Sequence, residues 1–280
     1  MIPAAFDYDV AESVEHAIEL VGDGGGDVKL LAGGQSLIPA LKLRIARPAK
    51  LVDLGRLGDL AYVKDDGTHI AIGALTRHAA VAGDPLLAEH CGIVSHTAAQ
   101  IGDPQVRSRG TLGGTLAHGD PASDMPAVML AVGGELVVRG KGGERTIPAD
   151  DFFTGVFETA LREGEVLTEV RVPKLAGSTG WAYLKAHRRA QDWATVGVAA
   201  LVHHDNGSVA GASIGLVNMG GTPLRAKAVE DALAGGSSAA DAAALVTEGA
   251  EPPSDHAGSS EYRAHLAEVI CRRALEQAMS

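Results

Sequence analysis

The chain is poor in the residues that most often carry chemistry on their own. It has two cysteines, Cys91 and Cys271, with no Cys-x-x-Cys and no Cys/His cluster at metal-ligand spacing. An iron–sulfur cluster needs about four thiolates, so the chain is not expected to hold one itself. Each cysteine reads instead as a small buried hydrophobe inside a helix. The eleven histidines include His16 and the pair His203-His204, but none stands at i, i+4 with a second ligand and a general base, as a zinc protease requires. Gly-x-x-x-x-Gly-Lys-Ser/Thr is absent, and Ser36 has no nucleophile elbow around it. Basic residues are outnumbered, 24 against 35 acids, and the net charge of −11 opposes broad attraction to nucleic acid or anionic lipid. Apolar runs such as Val196 to Val202 are too short to span a bilayer. The opening residues Met1 to Tyr8 carry neither a basic n-region nor an apolar h-region. Together these absences predict a cytoplasmic protein without an integral membrane segment, whose redox chemistry, if any, comes from an organic cofactor.

What is present is ordinary globular material. Hydrophobic residues make up 46% and charged residues 21% of 280 residues, enough for two or three lobes rather than one. Val14, Ala17, Ile18 and Val21 fall on one helical stripe that Gly22 to Gly26 stops. That glycine tract precedes a strand and follows a helix, the reverse of a Rossmann fingerprint. Strands are predicted over Val28 to Ala32 and Lys50 to Leu54, with a hairpin of Ala61 to Lys64 and His69 to Gly73 around Asp66-Gly67. A second lobe begins near Leu57, with one helix from Leu87 to Ile101 and a short one from Met125 to Ala131. It continues with a hairpin of Glu135 to Arg139 and Glu144 to Ile147, and a closing strand over Val166 to Val172. Lys174 to Gly180 reads as a linker. Beyond it, Val196 to His203 and Val209 to Val217 form a face-alternating hairpin turning at Asp205-Asn206-Gly207. Helices over Ala226 to Ala234, Ala239 to Thr247 and Ser260 to Met279 would cover it, the last burying Tyr262, Leu266, Val269, Ile270 and Ala274.

Two short glycine turns stand out, Ala32-Gly33-Gly34-Gln35-Ser36 and Thr111-Leu112-Gly113-Gly114-Thr115. Glycine has no Cβ, so backbone N–H groups can approach an anion closely, and serine or threonine adds a hydroxyl donor without adding charge. The first turn joins a strand to a helix that Ser36 can cap, which is a common anion site. Two turns of the same chemistry suggest a diphosphate.

The turns lie inside longer runs, Leu31-Ala-Gly-Gly-Gln-Ser-Leu-Ile-Pro-Ala-Leu-Lys-Leu-Arg44 and Ile101-Gly-Asp-Pro-Gln-Val-Arg-Ser-Arg-Gly-Thr-Leu-Gly-Gly-Thr-Leu-Ala-His-Gly-Asp-Pro-Ala-Ser-Asp-Met-Pro126. These closely resemble the FAD-binding (medium) subunits of the molybdenum hydroxylase, or xanthine dehydrogenase, family, and most of all the aerobic carbon monoxide dehydrogenase group. The likeness extends through Gly164 to Pro173, the Lys185 region and Tyr262 to Ala278. It implies an α+β fold: a two-lobed FAD-binding domain, of the type shared with vanillyl-alcohol oxidase, followed by a C-terminal antiparallel sheet covered by helices. The implied division is 1–56 and 57–176 for the two lobes and 177–280 for the C-terminal domain. The implied partners are a small chain with two [2Fe–2S] clusters and a large chain with molybdopterin, arranged as a dimer of heterotrimers. Electrons would pass through FAD to an external acceptor such as a quinone or NAD.

By the same resemblance, Ala32 to Ser36 and Thr111 to Thr115 are the pyrophosphate loops, with the N–H groups of Gly33, Gly34, Gly113 and Gly114 as cradle. Asp124 would accept from ribose or ribityl hydroxyls, or cap the following helix. Leu167 would touch the flavin, or be plain core. Lys185 would lie near the isoalloxazine, where a cation stabilises negative charge on the reduced ring, or be a solvated strand lysine. Trp193 would cover the flavin or simply pack. Arg107 and Arg109 would add positive field or form salt bridges. Where many relatives have histidine, this chain has Gln35, and where the second turn often ends in asparagine it has Thr115. An amide is no nucleophile for a histidyl–flavin bond, so non-covalent FAD is expected. No general acid–base dyad stands out, which suits an electron-transfer subunit. The competing readings are a self-contained FAD-dependent oxidase with its own small substrate, which substrate bleaching without partners would reveal, and a non-enzymatic nucleotide-binding protein, which a flavin spectrum would dismiss.

Overall fold

A computed structural model describes residues 2–22 and 27–280; of the tract expected to end the first helix, residues 23–26 lie outside them. β1 (Asp7–Val10), α1 (Val14–Gly22), β2 (Val28–Leu31), α2 (Leu37–Lys42) and β3 (Lys50–Asp53) come first. Their strands run parallel in the order β1-β3-β2. Ala17 and Ile18 of α1 are buried with Val52 and Leu54, as the helical stripe requires. Ser36 does not cap α2. Its backbone is already helical, with φ −102° and ψ −46°, whereas a capping side chain needs an extended backbone to reach the first amides.

The middle of the chain holds β4 (Val63–Asp65), β5 (His69–Gly73), α3 (His78–Gly83), α4 (Pro85–His90), α5 (Gly92–Ala99) and α6 (Pro104–Arg109). It continues through α7 (Leu112–His118), α8 (Asp124–Val132), β6 (Glu135–Gly140), β7 (Gly143–Pro148) and α9 (Ala149–Phe152) to β8 (Phe153–Gly155), β9 (Glu158–Thr159) and β10 (Val166–Pro173). β8 and β9 form a small hairpin of their own. The large sheet is antiparallel in the order β4-β5-β10-β6-β7. Its last strand in sequence, β10, is therefore its centre, inserted between two earlier hairpins. The helix expected over Leu87 to Ile101 is two helices, and Cys91 is the break between them, with φ −150° and ψ 59°. The kink brings Gly92 against the indole of Trp181, where a Cβ would stand 2.7 Å from the ring.

β11 (Thr179–Ala186), β12 (Val196–Asp205), β13 (Ser208–Val217) and β14 (Leu224–Arg225) make an antiparallel sheet in chain order, followed by α10 (Lys227–Ala234), α11 (Ala239–Ala243) and α12 (Ser260–Met279). β11 begins inside the expected linker. The β12–β13 hairpin does turn at Asn206 and Gly207, both left-handed at φ 49° and 81°. β12 is not half-exposed, however, because Val196 to Val202 is buried on both faces. Ala199 and Leu201 join a core shared with α8, while Val198, Ala200 and Val202 face α10 and α12. On α12 the buried stripe is Arg263, Ala267, Ile270, Cys271, Ala274, Leu275 and Ala278, and Tyr262 is exposed. The stripe is rotated because the fully buried Arg263 guanidinium donates to the Thr195 carbonyl and to Asp255.

Candidate cofactor site

The two glycine turns meet. A Cβ on Gly33 would stand 2.8 Å from the Gly110 Cα, and one on Gly114 would stand 3.6 Å from the Cβ of Ala32. Both turns border one cavity of about 950 Å³, at the upper end of the range for ligand pockets. Ala32, Gly33, Gly34, Gln35, Ser36, Thr111, Gly113, Gly114, Thr115, Asp124, Leu167, Lys185 and Trp193 all line it. Leu112 does not. Its side chain is in the core and its N–H donates to the Thr76 carbonyl.

Inside that shared wall the turns differ. Ala32 to Ser36 is neither strand nor helix, Gly34 has φ 75°, and among the described residues no backbone carbonyl accepts from the N–H groups of Gly33, Gly34, Gln35 or Ser36. The second turn is the start of α7. Thr111 caps it through an extended backbone, its hydroxyl accepting from the Gly114 N–H at 3.1 Å. The Gly113 N–H donates to the Ala74 carbonyl at 2.8 Å, and the Thr115 N–H to the Thr111 carbonyl. The expectation that Gly113 and Gly114 offer free amides is thus corrected. Gly113 is needed for close packing, since a Cβ there would lie 2.5 Å from that of Ala74.

A buried ionic cluster forms another part of the wall. Tyr183 and Lys185 are two apart on β11 and so share one face. Tyr183 donates to Asp124 Oδ1 at 2.5 Å, and Lys185 Nζ donates to Asp124 Oδ2 at 3.0 Å and to the Gln100 carbonyl at 3.1 Å. The Lys185 side chain is only 1% exposed, which rules out a solvated strand lysine. Burial pushes the Asp124 carboxyl up, and the Lys185 cation and the Tyr183 hydroxyl oppose that. Burial first, and then Asp124, pushes the Tyr183 phenol far above its ordinary range. Asp124 is the first residue of α8, while Ser123 holds the cap position. Leu167 is at once core and cavity wall, beside a register shift between β10 and β6. Trp193 is 64% exposed, so it is no packing residue. The chain just after it is pinned by Asn218, which donates to the Ala194 carbonyl at 2.8 Å, and by Arg263. Arg107 donates to the Ile101 carbonyl at 2.9 Å and Arg109 accepts from Arg77 through its carbonyl.

Three residues at the site, two of them in the cavity wall and Tyr183 behind it, have no counterpart in the sequence reading. Tyr183 had a signal, its period-2 spacing from Lys185, which an assigned β11 would have exposed. His78, fully enclosed beside Gly110, had none; its amide donates to the Gly110 carbonyl and burial pushes its imidazole down to about 4. Phe157 also lines the cavity.

Comparison with known proteins gives the family. Residues 4–175 match the family model described as FAD binding domain in molybdopterin dehydrogenase. The chain belongs to that family. Residues 181–278 match the CO dehydrogenase flavoprotein C-terminal domain. The carbon monoxide dehydrogenase medium chain of Hydrogenophaga pseudoflava is 41% identical, covering 99% of this chain and 98% of that protein. The solved structure of that organism's enzyme lacking the Mo-pyranopterin moiety superposes with a TM-score of 0.96 over 99% of this chain and 98% of that chain. The 6-hydroxypseudooxynicotine dehydrogenase complex subunit alpha of Paenarthrobacter nicotinovorans is 39% identical, covering 100% of this chain and 96% of that protein. The chain is therefore a flavoprotein subunit of a multi-chain molybdenum hydroxylase, with FAD as its cofactor and with molybdopterin and iron–sulfur clusters in other subunits of the family. Among the described residues no group of His, Cys, Asp and Glu could hold a metal ion, and no helix is long and apolar enough to cross a membrane.

Proposed function

We propose that the chain holds FAD non-covalently across its two glycine turns and relays electrons to an external acceptor, a quinone or NAD. The electrons come from the [2Fe–2S] clusters of a small partner chain, reduced by a large molybdopterin chain, in a dimer of heterotrimers in the cytoplasm. The observation that carries the reading is the pairing of N–H groups at Gly33 to Ser36, which have no backbone partner among the described residues, with the Thr111 cap in one cavity wall. Lobe 1–56 offers backbone donors to a diphosphate. Lobe 57–176 offers the Thr111 and Thr115 hydroxyls. Unit 177–280 contributes Lys185 and Trp193.

Bound FAD supplies the chemistry that the side chains lack, because it can take up electrons singly and release them in pairs. Lys185, held by Asp124 and Gln100, places a fixed cation in a dry wall, where a preorganised charge acts strongly on developing negative charge. Asp124 keeps that ammonium oriented, and Tyr183 in turn keeps Asp124 in place. Leu167 presents an apolar surface, and Trp193, exposed at the cavity edge, screens it from solvent. Relatives named for carbon monoxide and for 6-hydroxypseudooxynicotine share this chain's design, so the substrate is chosen by the large chain.

The test is purification of the chain with its co-expressed partners. A flavin spectrum, with yellow colour that leaves the protein on acid precipitation, and flavin reduction that depends on the partner chains are the expected results. Bleaching by small organic substrates in the isolated chain would overturn the relay in favour of an oxidase.

A further inference from the structure

Four phenylalanines occur in the chain, and one of them is placed against both packing and backbone preference. Phe152 is fully buried and meets Phe153 edge to face at 5.2 Å. Phe157 instead exposes 55% of its surface and has φ 57°. It sits with Val156 at the tip of the β8–β9 hairpin, where Gly155 pairs with Glu158. A left-handed second tip residue is the position that turns give to glycine or asparagine, and a bulky side chain there is strained. Such strain persists only where the rest of the molecule imposes it, and it concentrates at ligand clamps.

The ring itself faces the cavity. It lies against the imidazole of His118, with centroids 5.0 Å apart and planes tilted by 38°. His118 ends α7, the helix whose first turn carries Thr111, Gly113 and Gly114. Seven helical residues rise about 10 Å, so a ring joined to a diphosphate through a sugar chain falls within reach of this pair.

We propose that Phe157, backed by His118, is a stacking wall for a planar ring of the bound dinucleotide, and that its strained backbone is retained for that contact. The inference rests on the reading of the cavity as the FAD site. Adenine and isoalloxazine share the required chemistry, a flat π-face that stacks on an aromatic side chain.

The test uses the full chain stripped of flavin, with wild type, Phe157→Gly, Phe157→Asn and Phe157→Tyr titrated with FAD, adenosine diphosphate and FMN, and melted without ligand. Glycine and asparagine both accept the left-handed backbone. Both variants are expected to melt no lower than wild type while binding FAD roughly tenfold more weakly, and tyrosine is expected to restore binding. A loss confined to adenosine diphosphate assigns the wall to adenine, and a loss confined to FMN assigns it to isoalloxazine. FAD affinity within about twofold of wild type in both glycine and asparagine variants, or a clear fall in their ligand-free melting temperature, overturns the proposal. Wild-type chain that binds no FAD at all overturns the site reading instead.

Discussion

The two glycine turns look alike in sequence and do opposite work in the fold. In Ala32 to Ser36 the amides of Gly33, Gly34, Gln35 and Ser36 are left without backbone partners among the described residues, and the following helix has no side-chain cap. In Thr111 to Thr115 every amide after Thr111 is taken by Thr76, Ala74 or Thr111 itself. One turn is open to a ligand, and the other is a rigid abutment against which the first is held. Glycine serves access in one and close packing in the other.

Gly33→Ala gives the sharpest break in this comparison. A Cβ there meets the Gly110 backbone, which cannot yield as a side-chain tip can, so the turns separate and FAD affinity falls on the order of 100-fold. Isothermal titration of flavin-stripped chain measures it, and near-normal affinity would mean that the turns need not touch.

Acid acts on the abutment rather than the open turn. His78 supports Gly110 and titrates at about 4 when folded, against 6.5 ordinarily. The unfolded chain thus binds the proton more readily, and stability is full above about pH 6.5 and is lost as pH falls toward 4, by about 3 kcal/mol. Denaturant melts across that window should show the slope, and His78→Gln should flatten it.

Gly113→Ala forces a Cβ against Ala74 and should lower stability by about 1–3 kcal/mol, with less effect on FAD affinity than Gly33→Ala. The reverse ranking in paired melts and titrations would erase the distinction between the turns. The smallest contrast is between the hydroxyls. Thr111→Val removes a cap and should cost about 1 kcal/mol. Ser36→Ala removes none, and should change stability by less than about 0.5 kcal/mol while still weakening FAD.

Local signals were readable where one element decides its own fate. The α1 stripe, the β4–β5 and β6–β7 hairpins and the Asn206-Gly207 turn needed no partner to be seen. What depended on a distant surface was not visible: β10 at the centre of its sheet, both faces of β12 buried, the break at Cys91 under Trp181, and the α12 face turned by Arg263. The site divides in the same way. Gly33, Gly34, Ser36, Thr111, Lys185 and Trp193, which line the cavity, were picked out from motif and resemblance, because glycine, hydroxyl, cation and aromatic chemistry is written in residue type. Whether an amide is free, whether Lys185 is paired with Asp124, and that Phe157 faces the cavity are matters of contact between segments far apart in the chain. The sequence by itself determined the local elements and, through having two cysteines, that this chain has too few thiolates for an iron–sulfur cluster, while its resemblance to a family pointed to FAD. Only the tertiary structure decided which of two similar turns is open to a ligand, since a backbone N–H is available or taken according to the carbonyl that folding sets in front of it.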